Sequence, residues 1–329
     1  MKSLSIIFVQ KALLCHGNQC NLCYRKCKIK EGGSGYCKTR INIDGTIYTL
    51  TYGNLSAIEL RPIEIKPFFH FHPGSKALTF STYSCNFPCP WCQNWHLSKT
   101  IPPEKFEFVS PQKLVEMAGE HGLCASFNEP TLLFEYCIDA FNLSNKPNSI
   151  VSNGYMTKEA INMLKEAGLD AMNIDIKGDE EVYEKYLNAE EKYVWENASY
   201  AKKIGIHVEM VFLIISGVND REEQIDGIIE KHLKFLGADT PIHFTRYFPA
   251  YKFKEPPTPI AKLEYAYEKA KKEGILYPYI GNVPGHEYEN TYCHNCKKLL
   301  IKRYGSTIIK NYLEEAKCPF CREELPFVM

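Results

Sequence analysis

From about residue 78 onward, short runs rich in β-branched and aromatic residues alternate with stretches whose apolar positions recur at helical spacing. This is the signature of repeated βα units around a parallel sheet. The extended runs fall at 78–84, 124–128, 149–152, 171–176, 207–215 and 242–246. Between and after them, helical patterns occupy 111–122, 132–143, 157–168, 180–186 with 193–205, 221–237 and 260–274. The clearest is 157–168, with Thr157 at the N-cap position, apolar residues spaced for one face, and Gly168 where a left-handed C-cap is needed. Six strands are too few for a full eight-fold barrel.

Polar residues recur where these strands end. Cys85 follows the first, Asn128 and Glu129 end the second, Ser152 and Asn153 the third, and Asp175 and Lys177 the fourth. Asn219 and Asp220 come after the fifth, and Arg246 and Tyr247 close the sixth. Packing alone favours apolar side chains at such positions, so the recurrence points to a site.

Composition narrows the picture. Lys plus Arg and Asp plus Glu balance at 39 each over 329 residues, so no global field favours nucleic acid or an acidic membrane surface. The apolar run at 4–9 is only six residues long, too short for a secretory core or a membrane span. The expected address is cytoplasmic, with no membrane partner. The 14 cysteines fall into sparse clusters with metal spacing, which suits a reducing cytosol better than a disulfide scaffold.

The densest cluster is Cys85-Asn-Phe-Pro-Cys89-Pro-Trp-Cys92. Its offsets of four and three would line one helix face, but Pro88 and Pro90 remove amide donors and clash with the preceding turn, so a loop around a metal centre is expected. A closed structural zinc site wants four ligands. A fully ligated [4Fe–4S] centre also takes four cysteines, and the next one, Cys124, lies inside a predicted strand. Three thiolates therefore fit a [4Fe–4S] cluster with one iron left for an exogenous ligand. Cys293-x2-Cys296 and Cys318-x2-Cys321 form two knuckles about twenty residues apart, a pattern for a closed tetrahedral site of zinc or rubredoxin-type iron. Cys20, Cys23, Cys27 and Cys37 offer another four ligands, for zinc or an auxiliary iron–sulfur cluster. Cys15, Cys124 and Cys137 are left over and read as buried small hydrophobes.

The Cys-x3-Cys-x2-Cys motif with Trp91 before its last cysteine resembles the signature of radical S-adenosylmethionine (SAM) enzymes, especially the glycyl-radical-activating branch. Ala125-Ser-Phe-Asn-Glu-Pro-Thr131, Ser152-Asn-Gly154, Asn173-Ile-Asp-Ile-Lys-Gly178, His243-Phe-Thr-Arg-Tyr-Phe-Pro249 and Gly281-Asn-Val-Pro-Gly-His286 carry the likeness further. Together they resemble the radical SAM member of the AmmeMemoRadiSam system, a pyruvate-formate-lyase-activating-enzyme-like family. The resemblance extends to the N-terminal spacing Cys20-x2-Cys23-x3-Cys27-x9-Cys37. It implies an α/β fold: a partial (β/α)6 TIM-like barrel over 76–285, preceded by a four-cysteine module and bridge over 1–75 and followed by a zinc-ribbon-like module over 286–329. Loops at the carboxyl ends of barrel strands converge on one mouth.

The resemblance also implies chemistry. SAM would bind the open iron and be cleaved reductively to a 5′-deoxyadenosyl radical that abstracts hydrogen from a substrate, an oxidoreductase reaction of the activating-enzyme kind. Glu129 in Phe127-Asn-Glu-Pro130 matches the acidic position of a Gly-Gly-Glu-Pro motif that meets the methionine amine, although the glycine pair is missing. Asn128 falls in the same motif, Ser152 and Asn153 resemble a polar pair near the carboxylate and ribose, and Asp175-Ile-Lys177 resembles an Asp-x-Lys element close to SAM. Trp91 is placed to pack on adenine or shield the iron; His243 and Arg246 are weaker candidates for contact, and His70 and His72 lie in the bridge. No flavin or nicotinamide fingerprint is evident, which implies an external low-potential donor such as ferredoxin or flavodoxin. A protein substrate is implied by the activating-enzyme likeness. A nucleoside, RNA or small metabolite is the alternative substrate, and a non-enzymatic electron-transfer or metal-ribbon scaffold the alternative of another class.

Overall fold

The structure, a computed structural model, describes residues 10–329, so the apolar run at 4–9 lies outside the described residues. Eight strands form the main sheet: β1 (Ala57–Pro62), β2 (Lys76–Ser81), β3 (Gly122–Ala125), β4 (Asn148–Ser152), β5 (Leu169–Ile176), β6 (His207–Ile214), β7 (Ile242–Arg246) and β8 (Pro278–Gly281). The six expected strands are all present. β1 and β8 are additional: β1 alternates partly exposed charged residues with apolar ones, and β8 opens on a proline and closes on a glycine, so neither reads as a β-rich run.

The chain divides into two compact units. The first takes the chain up to Leu60 together with Ala77–Asp170. Within it β2 pairs β3 and β3 pairs β4, both parallel. The connecting helices are α1 (Pro111–Ala118) and α2 (Phe134–Leu143), and α3 (Lys158–Glu166) follows β4. Three short strands, Gln10–Lys11, Arg40–Ile43 and Thr46–Thr49, build a small antiparallel sheet in the N-terminal cysteine region. Thr157 occupies the N-cap of α3, but its hydroxyl donates to Asn21 O (3.1 Å) instead of capping the helix. Gly168 takes φ +101 just beyond the helix, the conformation the C-cap required.

The second unit is Arg61–Lys76 and Ala171–Met329. Here β5, β6, β7 and β8 pair in sequence, all parallel, with α4 (Lys192–Lys203), α5 (Glu222–Leu236) and α6 (Ile260–Lys272) as connections. Its polar hub is Glu209 on β6, fully buried. The carboxylate accepts from Phe69 N (3.0 Å) and His70 N (2.8 Å) and pairs with His243 (2.8 Å) and His207 (3.1 Å). Burial opposes its charge, but the two histidines outweigh that and hold its carboxyl well below the usual range. Residues 67–72 are thereby fixed, and they also bind the C-terminal tail: His72 N donates to Val328 O (2.7 Å), and the His70 ring stacks on Phe327 at 4.0 Å.

An ion pair ties the N-terminal module to α2 inside the first unit. Arg40 and Glu135 are 3% and 4% exposed and in direct contact. Glu135 also accepts from Leu13 N (2.8 Å), and Arg40 donates to Leu13 O (2.8 Å). Removing one member of such a pair leaves an uncompensated buried charge. Glu135→Ala should therefore cost about 3–5 kcal/mol of stability, read as a lowered urea midpoint, whereas Glu116→Ala at an exposed pair should cost under about 1 kcal/mol.

Candidate radical SAM site

Two strand ends in the first unit stop earlier than the sequence pattern suggests, for one reason. β2 ends at Ser81 and β3 at Ala125, not at 84 and 128. Ser84 (φ +68) and Phe127 (φ +71) then turn the backbone into the left-handed region, which a strand cannot continue and which costs a non-glycine residue energy. Phe127 occupies the first glycine position of the Gly-Gly-Glu-Pro pattern, where glycine would adopt this φ without that cost. Side-chain amides hold both turns: Asn128 accepts from Thr82 N (3.1 Å) and donates to Ser84 O (2.9 Å), while Asn94 donates to Phe127 O (2.7 Å).

The segment after Ser84 is an irregular loop, as the two prolines require. Cys85 and Cys92 are half-buried and Cys89 is buried. Phe87 N donates to Cys85 Sγ (3.4 Å), Cys92 Sγ contacts Ser98 Oγ (3.1 Å), and Lys99 Nζ donates to Phe87 O (2.8 Å). Burial raises the Cys85 thiol far above its ordinary value, with Glu129 and Cys89 adding to the effect. Protein donors alone do not favour a thiolate here, so a bound cation would have to supply that stabilisation. Trp91 is buried at 3% exposure. Three cysteines on one loop, two of them reachable from solvent, are a donor set suited to an iron–sulfur cluster with one iron lacking a protein ligand.

Glu129 is the centre of the polar part. It is 3% exposed and its Oε1 accepts from Thr131 N (3.1 Å), Thr131 Oγ1 (2.5 Å) and Ser152 Oγ (2.8 Å), while Oε2 accepts from Asn153 N (2.8 Å). It therefore caps the short helical turn Pro130–Leu133 and also joins the ends of β3 and β4. Burial raises its pKa, and the donors from Thr131, Asn153 and Ser152 oppose that rise. A carboxylate has about four lone-pair sites, so Oε2 keeps capacity for a further donor. Asn153 Nδ2 in turn donates to Asn86 Oδ1 (2.7 Å) and reaches Cys85 Sγ at 4.0 Å. The structure thus brings Cys85, Glu129, Ser152 and Asn153 into one connected network, with Asn128 beside it on the backbone of Thr82 and Ser84. Asn86, which links them, was not singled out from the sequence; its position next to Cys85 was the available signal.

In the second unit, Lys177 Nζ and Asp175 Oδ2 are 2.9 Å apart, at 15% and 28% side-chain exposure. Asp175 lies on β5 and Lys177 one residue past its end, and their contact puts both on one side. Asn219 donates to Lys177 O (2.9 Å) and Leu213 O (3.0 Å) and accepts from Ile215 N (2.6 Å), fixing the loops after β5 and β6. The His243 ring is occupied by Glu209, and Arg246 Nε donates to Thr258 O (2.9 Å).

The C-terminal cysteines form a compact set that could hold a metal ion. The sulfurs of Cys293, Cys296, Cys318 and Cys321 lie within 4.8 Å of one another, with Cys293–Cys321 and Cys296–Cys318 both at 3.7 Å. Tetrahedral bonds of about 2.3 Å place sulfurs close to this separation. The two knuckles match: Lys297 N donates to Cys293 O and Arg322 N to Cys318 O, and Lys297 (φ +62) and Arg322 (φ +65) turn each loop left-handed. Of the leftover cysteines, Cys124 and Cys137 are buried, but Cys15 is only half-buried and donates to Leu13 O (3.3 Å).

The sequence profile of the radical SAM superfamily matches residues 79–230. An uncharacterized protein of Methanocaldococcus jannaschii, MJ0808, is 41% identical over 94% of this chain and 96% of its own length. GTP 3′,8-cyclase of Nautilia profundicola is 23% identical over 69% of this chain and 77% of its own length. Among solved structures, a radical SAM methyltransferase from Sphaerobacter thermophilus is 13% identical, covers 64% of this chain and 67% of its own, and superposes with a TM-score of 0.48. A domain of pyruvate-formate lyase-activating enzyme from Bacteroides vulgatus is 17% identical, covers 49% and 99%, and gives a TM-score of 0.42. The chain belongs to the radical SAM superfamily and, by class, is an enzyme. Among the described residues no helix is long and apolar enough to cross a membrane.

The C-terminal set gives a direct test. Cys318→Ser should release about one equivalent of metal per chain and lower the melting temperature, measured by metal analysis and calorimetry. Unchanged metal content would remove the set as a ligand site.

Proposed function

We propose that this protein cleaves SAM reductively at a [4Fe–4S] cluster held by Cys85, Cys89 and Cys92, with glycyl-radical-activase-like or related AmmeMemoRadiSam chemistry on a protein substrate. The observation that carries the reading is the Glu129 network, which gathers a carboxylate, a hydroxyl and two amides beside the Cys85 loop. When bound, the cluster and SAM supply an electron route and a 5′-deoxyadenosyl radical that takes hydrogen from the substrate.

This chain's residues bind, orient and shield. Glu129 would accept from the methionine ammonium, a cation that would offset the cost of keeping the carboxylate charged in a buried place. Ser152 and Asn153 hold that carboxylate in one orientation and present amide and hydroxyl groups to the rest of the cofactor. Asn128 keeps both left-handed turns in register. Trp91 covers the loop against water, and Asp175 with Lys177 supplies a further polar pair for SAM. An external ferredoxin- or flavodoxin-like donor delivers the electron, and the C-terminal four-cysteine set holds zinc in a structural role.

A second reading, a nucleoside or other small-molecule substrate, is favoured by the similarity to GTP 3′,8-cyclase. Anaerobic turnover with deuterium-labelled protein and small-molecule fractions separates the two by which one transfers label into 5′-deoxyadenosine.

Cys89→Ala should abolish dithionite-driven formation of 5′-deoxyadenosine. Glu129→Gln keeps the shape but loses the charge that meets an ammonium, and should raise the KM for SAM about tenfold or more, the equivalent of a charged hydrogen bond of about 1.5–3 kcal/mol. Anaerobic assays with product quantified by chromatography check both, and turnover surviving in Cys89→Ala would defeat the assignment.

A further inference from the structure

The two four-cysteine sets differ in spacing, and the difference bears on what each holds. Among the described residues, only the C-terminal four close to within 4.8 Å of one another. The N-terminal four do not, yet Cys20, Cys23, Cys27 and Cys37 all line one cavity. A single tetrahedral ion, bonded at about 2.3 Å, draws its sulfurs nearly into contact. A polynuclear cluster places inorganic sulfide and several irons between its cysteines and so holds them further apart.

The walls of the cavity point the same way. Leu22, Ile29 and Leu132 supply apolar surface. Asn86 is 1% exposed, and its side-chain amide reaches the Cys23 thiol. Asn86 also lines the cavity. Tyr36 N donates to Cys27 Sγ (3.4 Å), and the buried Arg40 guanidinium reaches Cys20 Sγ at 3.7 Å. Donors aimed at sulfur and a fixed cation compensate the negative charge of a thiolate-ligated cluster and tune its potential. Cys15 faces Cys20 across a two-stranded pair and shares the Arg40 guanidinium, which donates to its sulfur at 3.3 Å, but it does not line the cavity.

We propose that Cys20, Cys23, Cys27 and Cys37 hold a second, fully thiolate-ligated [4Fe–4S] cluster, in place of a single zinc ion. Four protein ligands leave no iron open, so this cluster does not bind SAM. Its surroundings adjoin the Cys85 loop through Asn86, whose backbone carbonyl accepts from Arg25 Nε (3.0 Å) and whose Oδ1 accepts from Asn153 (2.7 Å). The assignment stands on the N-terminal cavity and not on the reading of Cys85, Cys89 and Cys92.

The test is a full-length variant carrying Cys85→Ala, Cys89→Ala and Cys92→Ala, reconstituted anaerobically with iron and sulfide. Iron, zinc and acid-labile sulfide are counted, and the dithionite-reduced paramagnetic spectrum is recorded with and without SAM. The proposal expects about four sulfides per chain and a reduced-cluster spectrum unchanged by SAM. Zinc at the N-terminal set with no sulfide, or no sulfide at all, overturns it. Should that variant fail to fold, the reciprocal Cys23→Ser/Cys27→Ser pair in otherwise native protein decides: sulfide should fall by about four per chain, and unchanged sulfide overturns the proposal. Absence of 5′-deoxyadenosine from the native protein, with sulfide retained in the triple variant, would count against the SAM reading alone.

Discussion

The buried carboxylate of Glu129 is the constraint on which the polar half of the site depends. A carboxylate at 3% exposure is costly to keep charged unless donors surround it. Four donors do so, from Thr131, Ser152 and Asn153. Because they belong to the turn after β3 and the end of β4, satisfying one charge also aligns two strand ends. Asn153 extends the same network to Asn86 and the sulfur of Cys85. Local hydrogen bonding and placement of the Cys85 loop are therefore a single arrangement.

The second unit solves a similar problem for a different purpose. Glu209 is also fully buried and also multiply hydrogen-bonded, but its partners are backbone amides of residues 69 and 70 and two histidines. The result is a fixed bridge segment to which the C-terminal tail attaches. The C-terminal cysteine set lies in a segment that carries little core of its own. The C-terminal module rests on a small cluster of Leu300, Ile301, Leu313, Leu325 and Phe327 around its sulfurs, a core so limited that a metal crosslink would contribute much of its order.

Much of this was legible in the sequence because strand and helix periodicities in βα repeats are strong. The six extended runs, the α3 pattern with Gly168 beyond its end and the loop character of the Cys85 segment all appear in the structure. Strand ends were less legible: β2 and β3 stop three residues early because Ser84 and Phe127 adopt left-handed backbone, a conformation that neither residue type announces. β1 and β8 escaped notice because charged residues, proline and glycine mask their periodicity. Thr157 illustrates a tertiary override, its hydroxyl serving the N-terminal module instead of its own helix. Glu129 was picked out by its motif, whereas Asn86, Arg40, Glu135 and Glu209 acquire meaning only from partners distant in sequence.

The most direct measurement of the central claim is pulsed electron–nuclear double resonance on the reduced, anaerobically reconstituted protein with SAM labelled by nitrogen-15 at its amine and oxygen-17 at its carboxylate. The account predicts hyperfine coupling of both labels to a cluster that is lost in protein lacking Cys85, Cys89 and Cys92. A reduced cluster indifferent to labelled SAM would contradict it.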